Sequence, residues 1–124
     1  MKAAAPALAL FLILAGHGPA AAADAASLYA ARCGTCHALD PAAPEKPGPN
    51  LAGLVGRPVA ADPRFDYSPA LRAARGKAPA WNETRLAEFL ADPEEMFPGL
   101  WMGANGMRDP GERAEIVKFL AGRR

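Results

Sequence analysis

The chain has 124 residues, which is enough for one domain and too few for two. Apolar residues make up 51% of it, which excludes wholesale disorder, whereas aromatic residues make up only 7%. A small, alanine-rich chain buries little apolar surface per residue, so we expect something besides its side chains to add core volume. The formal net charge is +1 and no basic stripe occurs, which argues against nucleic-acid binding.

The N-terminus has the pattern of a secretory signal peptide. A positive charge at Lys2 precedes an apolar run over residues 7–15, and the alanines at 20–23 suit a signal peptidase. The run is shorter than the roughly 20 residues of a membrane span. We therefore predict a cleavable signal peptide over 1–23 and one domain over 24–124, with an uncleaved membrane anchor as the alternative. Without Lys2 the chain has 13 basic and 13 acidic residues.

The first half of the domain is expected to be mostly loop. A short helix is predicted over residues 25–32, where Tyr29 is one of the few apolar side chains among alanines. Proline, glycine, aspartate and asparagine then dominate residues 39–69, which leaves little room for helix. So long a loop is unusual in a compact domain unless it is functional or surrounds something. Ser68 can cap a short helix over residues 69–75.

A clearer helix is predicted over residues 82–91. Its apolar face has spacings of three and four residues and consists of Leu86, Phe89 and Leu90. Asp92 ends this helix and caps a short turn, and a loop opened by Pro98 and Gly99 runs to about Gly106.

The last helix is predicted to begin after Asp109, with Glu112 in the capping-box position, and to end at Gly122. Its buried side is expected to comprise Ile116, Val117, Phe119 and Leu120. No segment has the alternation of a strand. The predicted fold class is therefore all-α, with about four short helices and long loops around one core.

The motif that carries chemistry is Cys33-Gly34-Thr35-Cys36-His37, the Cys-x-x-Cys-His pattern of c-type haem attachment. Two sulfurs three positions apart can reach two vinyl groups on one edge of a porphyrin. The imidazole of His37 then lies beneath the iron and leaves the opposite face for a second ligand.

Two other interpretations of these cysteines are weaker. A thioredoxin-like dithiol also uses Cys-x-x-Cys, but no strand precedes this motif and no βαβ pattern surrounds it. A zinc site would need a second pair of ligands, and the only other histidine, His17, lies in the predicted signal peptide.

The second iron ligand must be sought among methionines, because the predicted mature chain has no second histidine. The candidates are Met96, Met102 and Met107. Met102 is favoured because it lies in the Pro-Gly loop, where backbone can approach a ring, whereas Met96 lies in a helical turn and Met107 just before a helix cap. A site left open by all three remains an alternative.

Beyond the haem motif, the sequence resembles the class I soluble cytochromes c, of the bacterial and mitochondrial monohaem type, over nearly the whole mature chain. The matching segments are Gly48-Pro49-Asn50-Leu51 with Gly53, Gly56-Arg57, Phe65-Asp66-Tyr67, Trp81, Pro98-Gly99-Leu100-Trp101-Met102, and Arg113 through Leu120.

The resemblance implies a cytochrome c fold around one haem c, bound covalently through Cys33 and Cys36. It implies His37 and Met102 as iron ligands, and a hydrogen bond from the His37 ring to the carbonyl of Pro49. Tyr67 and Trp81 are expected to face haem propionates, although each could be a plain core aromatic. Tyr29 is expected to pack near Ile116 and Phe119, where the first and last helices cross.

The chain departs from the family pattern near the iron and on its surface. Phe89, Leu71 and Leu100 replace a tyrosine, an asparagine and a threonine, so we expect a drier methionine side. Glu94, Glu95 and Trp101 stand where lysines are common, Arg32 remains basic, and Ala104 replaces an aromatic that covers the haem edge. Trp101 either anchors a partner or folds over the ring.

The implied function is transfer of single electrons in the bacterial periplasm, because c-type haem is attached after export. The protein is expected to be a monomeric carrier rather than an enzyme, with transient redox partners and little dependence of its rate on salt. The alternative is a haem-bearing, electron-accepting subunit of a periplasmic dehydrogenase. A ligand-binding haem protein would require that Met102 does not bind the iron.

Overall fold

The computed structural model describes residues 1–4, 20–103 and 106–123, with the side chains of α1 described from Asp24 onward. Its elements are α1 (Ala20–Arg32), α2 (Pro69–Ala74), α3 (Glu83–Ala91), α4 (Pro93–Met96) and α5 (Pro110–Ala121). No strand occurs in these ranges. The predicted all-α class is confirmed.

Each of the four later helices begins where a short polar side chain can accept a hydrogen bond from the first turn. Asn82 Oδ1 accepts from the amide of Arg85 at 2.8 Å, and Asp109 Oδ1 accepts from those of Gly111 and Glu112 at 2.7 and 3.0 Å. Ser68 and Asp92 cap α2 and α4 in the same way. Local capping therefore fixes the starts of these helices, as predicted for Ser68, Asp92 and Asp109. Asn82 was expected to be the first residue of its helix and is the cap instead.

The predicted capping box at α5 is wrong in one respect. The Glu112 side chain does not turn back to the helix terminus but accepts a hydrogen bond from Arg32 Nη2 at 2.9 Å. This ion pair joins the last residue of α1 to the first turn of α5. Both side chains are partly exposed, so the pair contributes little stability, but it neutralises the basic charge expected at Arg32.

The core forms where α5 packs against α1 and α3. Ile116 is completely buried and Leu120 is 2% exposed. The rings of Tyr29 and Phe119 lie 5.2 Å apart, as expected for the crossing of the first and last helices. Phe119 is only partly buried, contrary to expectation, because its ring lies at the surface beneath the guanidinium of Arg123, 4.3 Å from the ring centroid.

The helix α1 begins at Ala20, earlier than predicted, so the expected cleavage site after residue 23 lies within it. The apolar run at 7–15 and His17 lie outside the described residues. In the part of the chain that is described, no helix is both long and apolar enough to cross a membrane.

Replacing Asp109 with alanine is expected to lower the free energy of unfolding by about 1 kcal/mol, because two amides at the start of α5 lose their acceptor. The denaturant midpoint of the haem-loaded protein measures this effect. The matched control is Glu115→Ala, an exposed position in the same helix, where we expect a change within about 0.5 kcal/mol. Equal midpoints for the two variants would show that the cap is dispensable.

Candidate functional site

A cavity of about 820 Å³ lies beside the Cys33–His37 motif. Its wall combines Cys33, Cys36 and His37 with the loop that carries Met102. Much of its floor comes from the helical core, through Leu86, Phe89, Leu90, Ile116 and Leu120. The volume is within the range of cofactor pockets, about 300–1,000 Å³. The long Pro-Gly-rich loop predicted to surround something supplies another part of the wall, including residues 43–51.

The haem motif forms a tight turn directly after α1. The amide of Cys33 donates to the carbonyl of Tyr29 at 2.8 Å, and that of His37 donates to the carbonyl of Cys33 at 2.9 Å. Both cysteines are free thiols, Cys33 partly buried and Cys36 exposed. Burial raises the pKa of the Cys33 thiol despite the opposing charge of Arg32. A redox dithiol needs a lowered thiol pKa, so this environment disfavours the thioredoxin-like interpretation.

The ring of His37 is held by a backbone carbonyl, as the resemblance implied. Nδ1 lies 2.8 Å from the carbonyl oxygen of Pro49. Because a carbonyl only accepts, Nδ1 carries the proton and Nε2 keeps the lone pair that a metal needs. Burial lowers the pKa of His37, the bond to Pro49 opposes that shift, and the charge of Lys46 adds to it. The net effect favours the neutral imidazole.

Two further contacts fix the backbone around His37. The Tyr29 hydroxyl donates to the His37 carbonyl at 3.1 Å, and burial, with a smaller effect of Cys33, raises the pKa of Tyr29 to about 12. Lys46 Nζ donates to the carbonyl of Gly34 at 2.7 Å. Tyr29 therefore stays protonated and links the α1–α5 crossing to the motif.

Gly48 leaves no room for a side chain beside the histidine. A Cβ at this position would lie 2.7 Å from His37 Nδ1 and 2.9 Å from Nε2, and would collide with Cε1. Contacts below 3 Å require the ring or the loop to shift, and the bond to Pro49 holds the ring in place. The glycine before Pro49 is thus required by its close approach to the imidazole.

The three candidate methionines occupy different environments. Met102 is partly buried and lines the cavity with His37. Met107 is 8% exposed and packs within the core, and Met96 lies at the end of α4 against that core. Neither Met96 nor Met107 lines the cavity. Only Met102 is therefore placed to share a bound group with His37.

No protein-family model matches the sequence. Cytochrome c2 of Agrobacterium tumefaciens (strain II Chrys) is 36% identical over 89 residues, which cover 72% of this chain and 80% of that protein. Cytochrome c of Sesamum indicum is 36% identical over 93 residues, covering 75% and 81%. Cytochrome c type-1 of Ascaris suum is 37% identical over 93 residues, covering 75% and 80%.

The chain belongs to the class I monohaem cytochromes c. It is accordingly an electron carrier rather than an enzyme, and it carries one covalently bound haem c. The sequence contains two cysteines, and both line the cavity of this cytochrome.

The cavity also contains polar groups suited to the carboxylates of a haem. The Tyr67 hydroxyl accepts from the amide of Asp62 at 3.1 Å, which leaves its own proton free to donate. Tyr67 and Trp81 are 4% and 7% exposed, and both line the cavity. Trp81 also packs edge-on against Phe89, with ring centroids 5.1 Å apart. Its position is therefore compatible with both the core role and the propionate role.

Arg57 is a cavity residue to which the sequence assigned no role beyond the family match. Its Nε is buried without a hydrogen-bond partner among the described residues, and the side chain lines the cavity. A buried guanidinium nitrogen without a partner is costly, and an anionic group in the cavity would satisfy it. The residues present thus fit a haem, whose carboxylates could satisfy such a group. No sequence pattern distinguishes such an arginine from an exposed one.

Asp62 and Arg64 are two cavity residues that the sequence analysis did not identify. Asp62 is buried, and its carboxylate accepts from the backbone amide of Arg64 at 3.0 Å and from its guanidinium at 3.3 Å. These contacts hold the pKa of Asp62 below its usual range, against the effect of burial. Arg64 also donates to the carbonyl of Pro41 at 3.1 Å, joining two loops at the cavity.

The three apolar departures from the family pattern lie on one surface, the wall of the cavity. Phe89, Leu71 and Leu100 all line the cavity with apolar side chains. Trp101 lines it too and is 61% exposed, which is compatible both with a partner contact and with a side chain that folds over a bound ring. Ala104 lies outside the described residues.

Proposed function

We propose that this cytochrome is a single-electron shuttle with His37 and Met102 as axial ligands of its haem iron. The observation that carries the proposal is that one cavity is lined by the Cys-x-x-Cys-His turn and by Met102, whereas Met96 and Met107 lie elsewhere. Thioether sulfur favours ferrous iron and so raises the reduction potential. His37 and Met102 together would leave a bound haem iron no open position for a substrate, which suits electron transfer.

Cys33 and Cys36 would attach the porphyrin, and Pro49 would orient His37. Tyr67 and Trp81 are proposed to donate hydrogen bonds to the propionates, with Arg57 beside them. A bound haem would supply two stable charge states of its iron. The protein would supply the iron ligands, polar groups that stabilise the propionates, and apolar side chains that exclude water. The apolar set Leu71, Phe89 and Leu100 supports a methionine side with few polar groups.

We propose that the protein is located in the periplasm of a bacterium. Residues 1–23 would direct its export and would then be cleaved. Support comes from the signal-like sequence and from the need to attach c-type haem after export. Partners are proposed to be redox proteins that dock transiently, since electron-transfer encounters are small and weak. Residues 24–124 contain 13 acidic and 13 basic residues, and this balance predicts only modest sensitivity of the electron-transfer rate to salt.

A dehydrogenase subunit is the second candidate function. The exposed Trp101, with the acidic side chains Glu94 and Glu95 nearby in the chain, favours a dedicated partner over many weak ones. Co-purification of the cytochrome in a stable complex with an oxidoreductase would select this candidate.

The optical spectrum of the purified, haem-loaded protein tests the ligation. We expect a sharp α band of c-type haem after reduction and the weak long-wavelength band of iron–methionine bonding in the ferric state. A haem spectrum without the methionine band, shifted by carbon monoxide, would contradict the ligation and support a ligand-binding protein. No haem after expression with c-type maturation factors would contradict attachment at Cys33 and Cys36.

A further inference from the structure

We propose that Glu94 is a positioning residue for the axial methionine, because its carboxylate fixes the shape of the turn that leads to Met102. This inference rests on the proposed ligation of iron by Met102. It concerns a residue of this chain that does not line the cavity with His37 and that acts through the backbone of Gly99.

The segment Phe97–Leu100 is a tight turn. The amide of Leu100 donates to the carbonyl of Phe97 at 3.1 Å, and Gly99 has a φ of +87°. Proline at the second position and a positive φ at the third are the marks of a type II turn. The turn's own hydrogen bond leaves the amide of Gly99 without a partner inside the turn.

Glu94 supplies that partner. Its Oε1 accepts a hydrogen bond from the Gly99 amide at 2.8 Å. The peptide between Pro98 and Gly99 is the one whose orientation distinguishes type II from type I turns. Glycine tolerates either sign of φ, so Gly99 permits both turns and selects neither. The carboxylate selects the type II orientation by binding the amide of that peptide.

The helix α4 holds Glu94 in place for this contact. Asp92 caps it by accepting from the amide of Glu95 at 3.0 Å, and Pro93 is buried. The amide of Phe97 donates to the Pro93 carbonyl at 3.0 Å, which joins the end of α4 to the start of the turn. The carboxylate and the peptide it binds are therefore parts of one local unit.

The conformation of the turn sets where the residues that follow it, including Met102, enter the cavity wall. Phe97 is 9% exposed and its ring lies 6.2 Å from those of Trp81 and Phe89, so the start of the turn is anchored in the core. Leu100 and Met102, one and three residues after Gly99, line the cavity. The direction of the chain between Phe97 and Met102 therefore depends on the orientation of the peptide between Pro98 and Gly99.

The test compares Glu94→Ala and Glu94→Gln with Glu95→Ala in the haem-loaded protein. Glu95 is the matched control because it is exposed, lies in the same short helix and has no side-chain hydrogen bond among the described residues. The first readout is hydrogen exchange at the Gly99 amide. The second is the rate at which added imidazole abolishes the long-wavelength ferric band by displacing the methionine.

We expect Glu94→Ala to accelerate both processes about fivefold, as for the loss of one hydrogen bond. Glu94→Gln keeps an acceptor oxygen, so both the hydrogen exchange and the displacement of the methionine should stay close to the rates of the unsubstituted protein. Glu95→Ala should stay within about twofold of the unsubstituted protein.

Equal rates for Glu94→Ala and Glu95→Ala, in a protein that shows the methionine band, would overturn the role of Glu94 and leave the ligation intact. A ferric protein that lacks the band before any substitution would overturn the ligation and this inference with it.

Discussion

Replacing Met102 with alanine is expected to remove the long-wavelength ferric band and to let carbon monoxide bind the ferrous haem. Neither Met96 nor Met107 lines the cavity, so no other methionine is placed to bind the iron in its stead. Loss of the thioether should also lower the reduction potential, by on the order of 0.1 V within the wide range that axial ligands control. Ferric and ferrous spectra, with and without carbon monoxide, and a redox titration measure these changes.

The matched control is Met107→Leu, which replaces a buried methionine of the core by a side chain of similar volume. It should cost less than about 1.5 kcal/mol of stability and leave the haem spectrum unchanged. A Met102→Ala protein that retains the methionine band would assign the ligand to another residue, and the proposed ligation would be wrong.

Replacing Gly48 with alanine is expected to destabilise the protein by about 2 kcal/mol and to perturb the spectrum of the reduced haem. The added Cβ would collide with the His37 ring, so either the ring or the loop must move, and the 2.8 Å bond to Pro49 would be lost. The denaturant midpoint and the position and intensity of the reduced α band measure the two effects.

Gly122 provides the control for this substitution, since it is exposed, does not line the cavity, and a Cβ there would lie at an ordinary 3.6 Å from its nearest neighbour. Its φ of −79° suits alanine, so no backbone strain is added. We expect Gly122→Ala to change the free energy of unfolding by less than about 1 kcal/mol. If Gly48→Ala behaves like Gly122→Ala, the collision with the imidazole is relieved without cost and the glycine is not required.

Much of the fold was predictable because its helix starts depend on neighbours in sequence. Ser68, Asn82, Asp92 and Asp109 act on amides two or three residues away, so a local pattern identifies them. The haem motif is equally local, because both thioethers and the histidine come from five consecutive residues.

The contacts and cavity positions that the sequence did not predict depend mostly on residues far apart in the chain. Glu112 occupies a capping-box position, yet its partner is Arg32, 80 residues away. Arg57 is a cavity residue only because the chain folds it inward, and a lone arginine has no sequence signal for that. Its place in the Pro-Gly loop favoured Met102 in the sequence, but only the folded chain shows that Met102 lines the cavity and that Met96 and Met107 do not. The contact of Glu94 with Gly99 is near in sequence but depends on a type II turn.

The shared wall of core and cavity has a consequence for how much of this protein a cell accumulates. Leu86, Ile116 and Leu120 belong to the hydrophobic core and also face the cavity. A chain that has not received its haem therefore has a cavity of about 820 Å³ beside these side chains in place of packing contacts, which lowers its stability. Since an incompletely packed domain opens more readily to proteases, we expect haem delivery to set how much of the chain accumulates.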